Sequence, residues 1–164
     1  MKNNKLKIFY YLFLSFFLIY SYSIANEQFN FNVTEVEIKE DGNRFYGKKG
    51  GIATTPEGLY IEGQEFDYDK QSNILIVEGK IKFEDKKDNF QIFSDKATYI
   101  KNNERILTEG NSRAVNDIDK IYLEADQFDY NKLSNILIVN GKVKFDDKSQ
   151  EIQIGPLTIL CGEN

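Results

Sequence analysis

The stretch Tyr60–Ile92, YIEGQEFDYDKQSNILIVEGKIKFEDKKDNFQI, returns as Tyr122–Ile154, YLEADQFDYNKLSNILIVNGKVKFDDKSQEIQI, displaced by 62 residues. Between the two copies a weaker one runs from Gln91 to Lys120, and its landmarks fall midway. Tyr68, Tyr99 and Tyr130 are 31 residues apart, and so are Gly79, Gly110 and Gly141. The unit is therefore 31 residues long. A fainter unit precedes these, in which Ile38 and Gly47 of EIKEDGNRFYG echo the Tyr-to-Gly stretch in a form shorter by two residues. Units of this size cannot bury an apolar face alone and must stack on their neighbours.

Within each unit the hydrophobic period is two. Leu75, Val77, Gly79, Ile81 and Phe83 alternate with Glu78, Lys80, Lys82 and Glu84, and the later copy keeps the parity through Leu137, Val139, Gly141, Val143 and Phe145. This is the pattern of a half-buried strand. Ile74, Ile76, Ile136 and Ile138 add apolar groups to the other face, so that end of each strand is either covered on both sides or a binding surface. Phe66, Tyr68, Phe128 and Tyr130 are expected on the face opposite the Leu75 and Leu137 series, unless a bulge shifts the register. Polar clusters such as DKQSN (69–73), KNNE (101–104) and NKLSN (131–135) read as tight turns. A unit this short has no room for a crossover helix, which predicts an all-β, antiparallel, up-and-down order. Pro56 and Pro156 lie near the ends of the patterned region and remove no hydrogen bond from a central strand. Glycine weakens a strand interior, so Gly79, Gly110 and Gly141 mark either a bend that folds the sheet over or room for an inserted ligand.

The first 25 residues are different in kind: Lys2, Lys5 and Lys7, an apolar block from Ile8 to Tyr22, then Ser23 and Ala25 flanking Ile24. This is a secretory signal peptide pattern with cleavage after Ala25, which divides the chain into a leader (1–25) and one β-domain (26–164). The alternative is an uncleaved membrane anchor, since Ile8–Ala25 approaches the length of a spanning helix. Cys161 has no partner within the chain and reads as a tail residue. Without the leader, 18 basic residues face 26 acidic ones, a net charge of −8. That balance disfavours nucleic acid as a partner.

The chain contains no histidine. Histidine-based nucleophilic sites are excluded and the commonest nitrogen ligand for metals is missing. Asp67, Asp85, Asp129 and Asp147 lie in or beside the repeated turns, and turn formation accounts for them. Asp67, Asp69 and Glu78 fall at calcium-loop spacing, but Ser72 replaces the required glycine and no helices flank the loop. GKKGG at 47–51 lacks the ending of a phosphate-binding loop. No catalytic residue, metal ligand or cofactor is expected.

The units IEGQEFDY (61–68) and LEADQFDY (123–130), each followed by a polar turn and then ILIVEGKIKF (74–83) or ILIVNGKVKF (136–145), resemble the organic-solvent-tolerance (OstA-like) domain of the lipopolysaccharide transport system. The likeness runs from about Phe31 to Gly155. It implies a twisted antiparallel β-jellyroll, V-shaped in section and open along one side, whose interior holds lipopolysaccharide acyl chains while the sugars face water. It also implies a periplasmic, non-enzymatic carrier that joins other domains of its kind edge to edge. On that implication Leu75, Val77, Ile81, Phe83, Leu137, Val139, Val143 and Phe145 are the candidates to line the groove. The alternative is that they fill a closed core. Phe29–Lys39 and Glu151–Leu160 are the candidate docking edges, or else merely frayed ends. The resemblance admits a bridge-like subunit, a detached module of the outer-membrane assembly barrel, an anchored inner-membrane subunit, or a structural adaptor working through its edges.

Overall fold

The computed structural model describes residues 28–147, apart from 88, 117 and 119, together with a strand at Thr158–Cys161. The leader at 1–25 and residues 151–157 of the last patterned segment lie outside the described residues. The strands are β1 (Asn30–Lys39), β2 (Arg44–Thr54), β3 (Leu59–Gly63), β4 (Glu65–Asp69), β5 (Ile74–Asp85), β6 (Phe90–Ile100), β7 (Arg105–Asn116), β8 (Ile121–Asn131), β9 (Ile136–Asn140), β10 (Lys144–Asp147) and β11 (Thr158–Cys161). They form one sheet in chain order. β3 and β4 both pair with β2 and β5, and are two halves of one strand interrupted at Gln64. β9 and β10 likewise pair with the two halves of β8. Every pairing is antiparallel except that of β11, which lies parallel on β9.

The predicted turns close as their residue types require. Asp69 Oδ1 accepts the amides of Gln71 at 2.8 Å and Ser72 at 3.2 Å, and Asn131 Oδ1 accepts that of Ser134 at 3.1 Å. Each of these turns ends on a left-handed residue at the same point of its unit: Asn73, Glu104 and Asn135, with φ of +57°, +51° and +54°. The turns also stack. The amides of Lys70, Lys101 and Lys132 donate to the carbonyls of Asn43, Asn73 and Glu104 at 2.9–3.0 Å.

Halfway along, alternate strands bend. Gly79–Lys80 and Gly110–Asn111 are consecutive left-handed pairs, with φ of +83° and +50° in the first and +77° and +48° in the second, and the register slips across each. Lys49–Gly50 does the same in β2. Opposite these points stand Gln64, Asp95 and Asp126, spaced like the repeat. A Cβ on Gly79 would sit 2.9 Å from Gln64 Cβ, and one on Gly110 would sit 2.8 Å from Asp95 Oδ2. Glycine at the bend is thus required both by φ and by the neighbour that packs over it.

The bends fold the sheet into two facing leaves. The first leaf carries the turns at 40–43, 69–74, 101–104 and 131–135, and the second carries those at 55–58 and 86–89. Phe83 pairs in register with Ile92, and Tyr99 pairs with Leu75, eight residues back along β5. In a flat sheet Phe83 and Tyr99 would be roughly 26 Å apart. Their ring centroids are 6.3 Å apart, and those of Phe90 and Tyr130 are 4.9 Å apart. This is the V-shaped jellyroll that the resemblance implied.

Two details differ from expectation. Phe66, Tyr68, Phe128 and Tyr130 share the inner face with the Leu75 and Leu137 series, because Tyr68 pairs with Leu75, Phe66 with Val77, and Tyr130 with Leu137. Directly paired residues of neighbouring strands point the same way. In the first unit Ile38 stands where Tyr68 stands in the next, but Gly47 pairs with Phe66 and so corresponds to Val77. By this register Lys49 stands at the place of Gly79, and the glycine of this bend, Gly50, stands at the place of Lys80.

Two glycine substitutions separate the contributions at the bend. Gly58 has φ +94° with nothing within 4 Å of its Cβ direction, so Gly58→Ala bears only the backbone cost, about 1 kcal/mol. Gly110→Ala adds the collision with Asp95 and loses about 2–3 kcal/mol. Thermal or urea unfolding of the two variants checks the order.

Candidate lipid-binding interior

Six of the eight groove candidates meet in the space between the leaves. Leu75, Val77, Leu137 and Val139 come from the first leaf, Ile81 and Phe83 from the second, and each is at most 2% exposed. Ile61, Ile92, Ile106 and Leu123 join them by the same parity. At the amino-terminal end the interior is filled by rings, with Phe31 stacked on Phe45 at 4.1 Å and Phe29 edge-on to Tyr68 at 4.8 Å. At the other end Val143 and Phe145 are 39% and 47% exposed. Those two lie outside the enclosed space because β10 pairs only with β8 among the described strands, so nothing described covers its inner face.

The interior is tightly packed. Between Leu59, Phe83, Phe90, Ile92, Ile106 and Tyr130 the free space amounts to about 10 Å³, the room of roughly one water. No acyl chain fits there while the leaves are closed.

At their mouth the turns of both leaves contribute a rim of charge. Lys101 Nζ lies 3.1 Å from Glu57 Oε2 across the mouth and 2.6 Å from Glu104 Oε1 on its own leaf. Lys132 Nζ lies 2.5 Å from Asp85 Oδ2 as an ion pair, off the hydrogen-bonding direction. Lys101 and Lys132 are one repeat apart, and each reaches an acidic residue of the second leaf. Behind them Tyr99 donates to Glu104 Oε2 at 2.9 Å, and burial, reinforced by that carboxylate, pushes the phenol well above the ordinary tyrosine range. Burial alone would lower the Lys101 ammonium and raise the Glu57 carboxyl, but their mutual pairing, helped by Glu104 and by backbone hydrogen bonding at Glu57, shifts them the other way. Sequence reading missed this rim, although Lys70, Lys101 and Lys132 recur at the repeat spacing.

The acidic residues attributed to turns divide. Asp85 does serve a turn, its Oδ1 accepting the Lys87 amide at 3.0 Å, as does Asp69 of the calcium-spaced set, whose carboxyl the backbone amides of Ser72 and Gln71 hold below the usual range. Asp67 and Asp129 stand within β4 and β8 on the outer face, where Arg44 holds Asp67 through two bonds of 2.8 and 2.7 Å and Arg105 holds Asp129 in the same bidentate way. Glu78 pairs with Lys96 at 2.9 Å, so the three members of the calcium-spaced set are each engaged separately. Among the described residues no group of three or more Cys, Asp or Glu side chains is placed to hold a metal ion.

A family model described as LptA/(LptD N-terminal domain) LPS transport protein matches residues 60–159. The chain belongs to this LPS transport family. The match covers both clear copies of the repeat and the weaker one between them. Among solved structures it is similar to LptH of Pseudomonas aeruginosa, described as the LptA-homologous periplasmic component of the conserved lipopolysaccharide transport device. The identity is 12% and the TM-score 0.67, over 75% of this chain and 97% of that one. At that identity the likeness concerns the fold. No curated protein matches the chain in sequence.

The rim has a defined pH window. Glu57 is held low, so its contribution is present above the ordinary glutamate pKa of about 4.3 and is lost as pH falls through the folded value. Lys101 is held high, so its contribution persists until pH rises through a value above about 10.4. Glu57→Gln therefore shows a smaller loss of thermal stability between about pH 5 and pH 3 than the parent chain, as thermal scans across that range will read.

Proposed function

We propose that this protein is a non-enzymatic periplasmic carrier in lipopolysaccharide transport toward the outer membrane, and that it takes the acyl chains between its two leaves. The observation that carries this reading is the interior itself. Equivalent apolar residues from the repeats form one continuous lining, and ion pairs join the turns of the two leaves at its rim. Membership of the LPS transport family and the jellyroll shared with LptH support it.

The energetics favour such use. Lys101, Lys132 and Asp85 are largely buried, and the net contribution of such bridges is small because the cost of desolvation offsets the attraction. Covering one methylene contributes about 0.8 kcal/mol. A few methylenes inserted between the leaves offset the loss of both bridges. The lining side chains would exchange one apolar neighbour for another and stay out of water.

The packed interior also fits a second reading, an adaptor that docks partners through its edge strands and holds no lipid. Photocrosslinking separates the two. A photoreactive residue at Val77 or Phe83 is expected to label lipopolysaccharide through its acyl chains, and one at the exposed Glu65 is not. Labelling from Glu65 alone, with a lipid-free native mass spectrum, would leave the adaptor. Lys101→Met together with Lys132→Met is expected to raise labelling from Phe83 by roughly tenfold or more, because each substitution leaves a carboxylate unpaired while the leaves are together.

A further inference from the structure

At the bend of the last unit the repeat changes chemistry. One row on the outer face runs Glu65–Glu78–Lys96–Glu109–Gln127–Asn140 through successive paired strands. The residue before the bend glycine is therefore Glu78, then Glu109, then Asn140. Asn140–Gly141 is the only place in the sequence where glycine follows asparagine. A main-chain amide that follows asparagine can attack the side-chain carbonyl, and glycine, with no side chain and the widest backbone freedom, obstructs that approach least. The fold keeps glycine at this point: Gly141 has φ +92°, and a Cβ there would collide with the carboxylate of Asp126.

Both reacting groups are unengaged. Asn140 is the last residue of β9, half-buried on the outer face, and its pairing with Gln127 ends the ladder to β8. On the other side the pairing of β11 stops at Val139. Gly141 is exposed and lies beyond both ladders. Among the described residues neither the Asn140 side-chain amide nor the Gly141 N–H has a hydrogen-bond partner. Reaction requires Asn140 to turn out of the extended backbone, and strand ends open locally at little cost. The asparagine at the previous bend shows the contrast. Asn111 is followed by Ser112, and its Nδ2 donates to Asp95 Oδ2 at 2.6 Å.

We propose that Asn140 is a site of spontaneous covalent modification, in which its side-chain amide is lost and a carboxylate takes its place. The Gly141 nitrogen attacks Asn140 Cγ, the N–Cγ bond forms as the Cγ–Nδ2 bond breaks, and Nδ2 leaves as ammonia with the Gly141 amide proton. Water then opens the cyclic imide at either of its carbonyls, supplying the oxygen of the new carboxylate and returning a proton to the Gly141 nitrogen. No oxidant or reductant takes part. Opening at Cγ gives ordinary aspartate, which restores at 140 the carboxylate that Glu78 and Glu109 carry in the other units. Opening at the main-chain carbonyl leaves the chain running through Cγ, one carbon longer between β9 and β10. The site is separate from the interior and does not depend on how the interior is used.

The test is to hold the full chain at mildly alkaline pH and to follow it by peptide mapping with mass spectrometry. The peptide containing Asn140 is expected to gain the acid form about tenfold or more faster than the peptide containing Asn111, as a mixture of aspartyl and isoaspartyl products. Asn140→Gln is expected to remove the acidic species that ion-exchange chromatography resolves from the parent chain. Conversion at Asn140 no faster than at Asn111, or an aspartyl product without the isoaspartyl one, would overturn the proposal. Because the mapping is done on the parent chain, a variant that fails to fold does not decide the outcome.

Discussion

The structure depends on a backbone constraint: alternate strands cross into the left-handed region for two residues at mid-length. Without Gly79–Lys80, Gly110–Asn111 and their counterpart Lys49–Gly50, the meander would be a flat sheet with one apolar face in water. With them, Phe83 reaches Tyr99 and Phe90 reaches Tyr130. Left-handed backbone is costly for residues with a side chain. Glycine carries part of that cost, and the aligned Gln64, Asp95 and Asp126 pack over the space that glycine leaves. Folding, core and rim all follow from where those bends fall.

Much of this was legible because the repeat is written twice. Parity along Leu75–Phe83 placed four interior residues correctly, and the periodic glycines marked the bend. Six of eight lining candidates lie inside. Val143 and Phe145 obey the same parity, but parity gives direction and cannot tell whether another strand lies across from it. The aromatic pairs were placed on the wrong face because facing depends on cross-strand register, which local alternation does not contain. The rim escaped notice for a related reason. Lys101 and Glu57 are far apart along the sheet and meet only after it folds, so nothing local in either turn announces the pair. The first unit misled through length: Gly47 looked like the landmark, whereas its strand bends at Lys49–Gly50.

A packed interior and a carrier role are compatible because the two kinds of contact differ so much in strength. Apolar lining exposed to water would be costly in proportion to its area, whereas lining covered by a guest in place of the facing leaf loses little. The closed state is then a self-filled groove. The protein keeps its greasy surface out of solvent, which spares it the aggregation that an open trough of this size would invite.

The two margins of the sheet are not alike. Beyond β1 no described strand is paired, whereas β9 carries β11 in the only parallel ladder among the described strands, four residues long. An added strand would meet no described strand at β1, whereas at β9 it would meet β11. If strands were added to such a body, its two described margins would not be equivalent starting points.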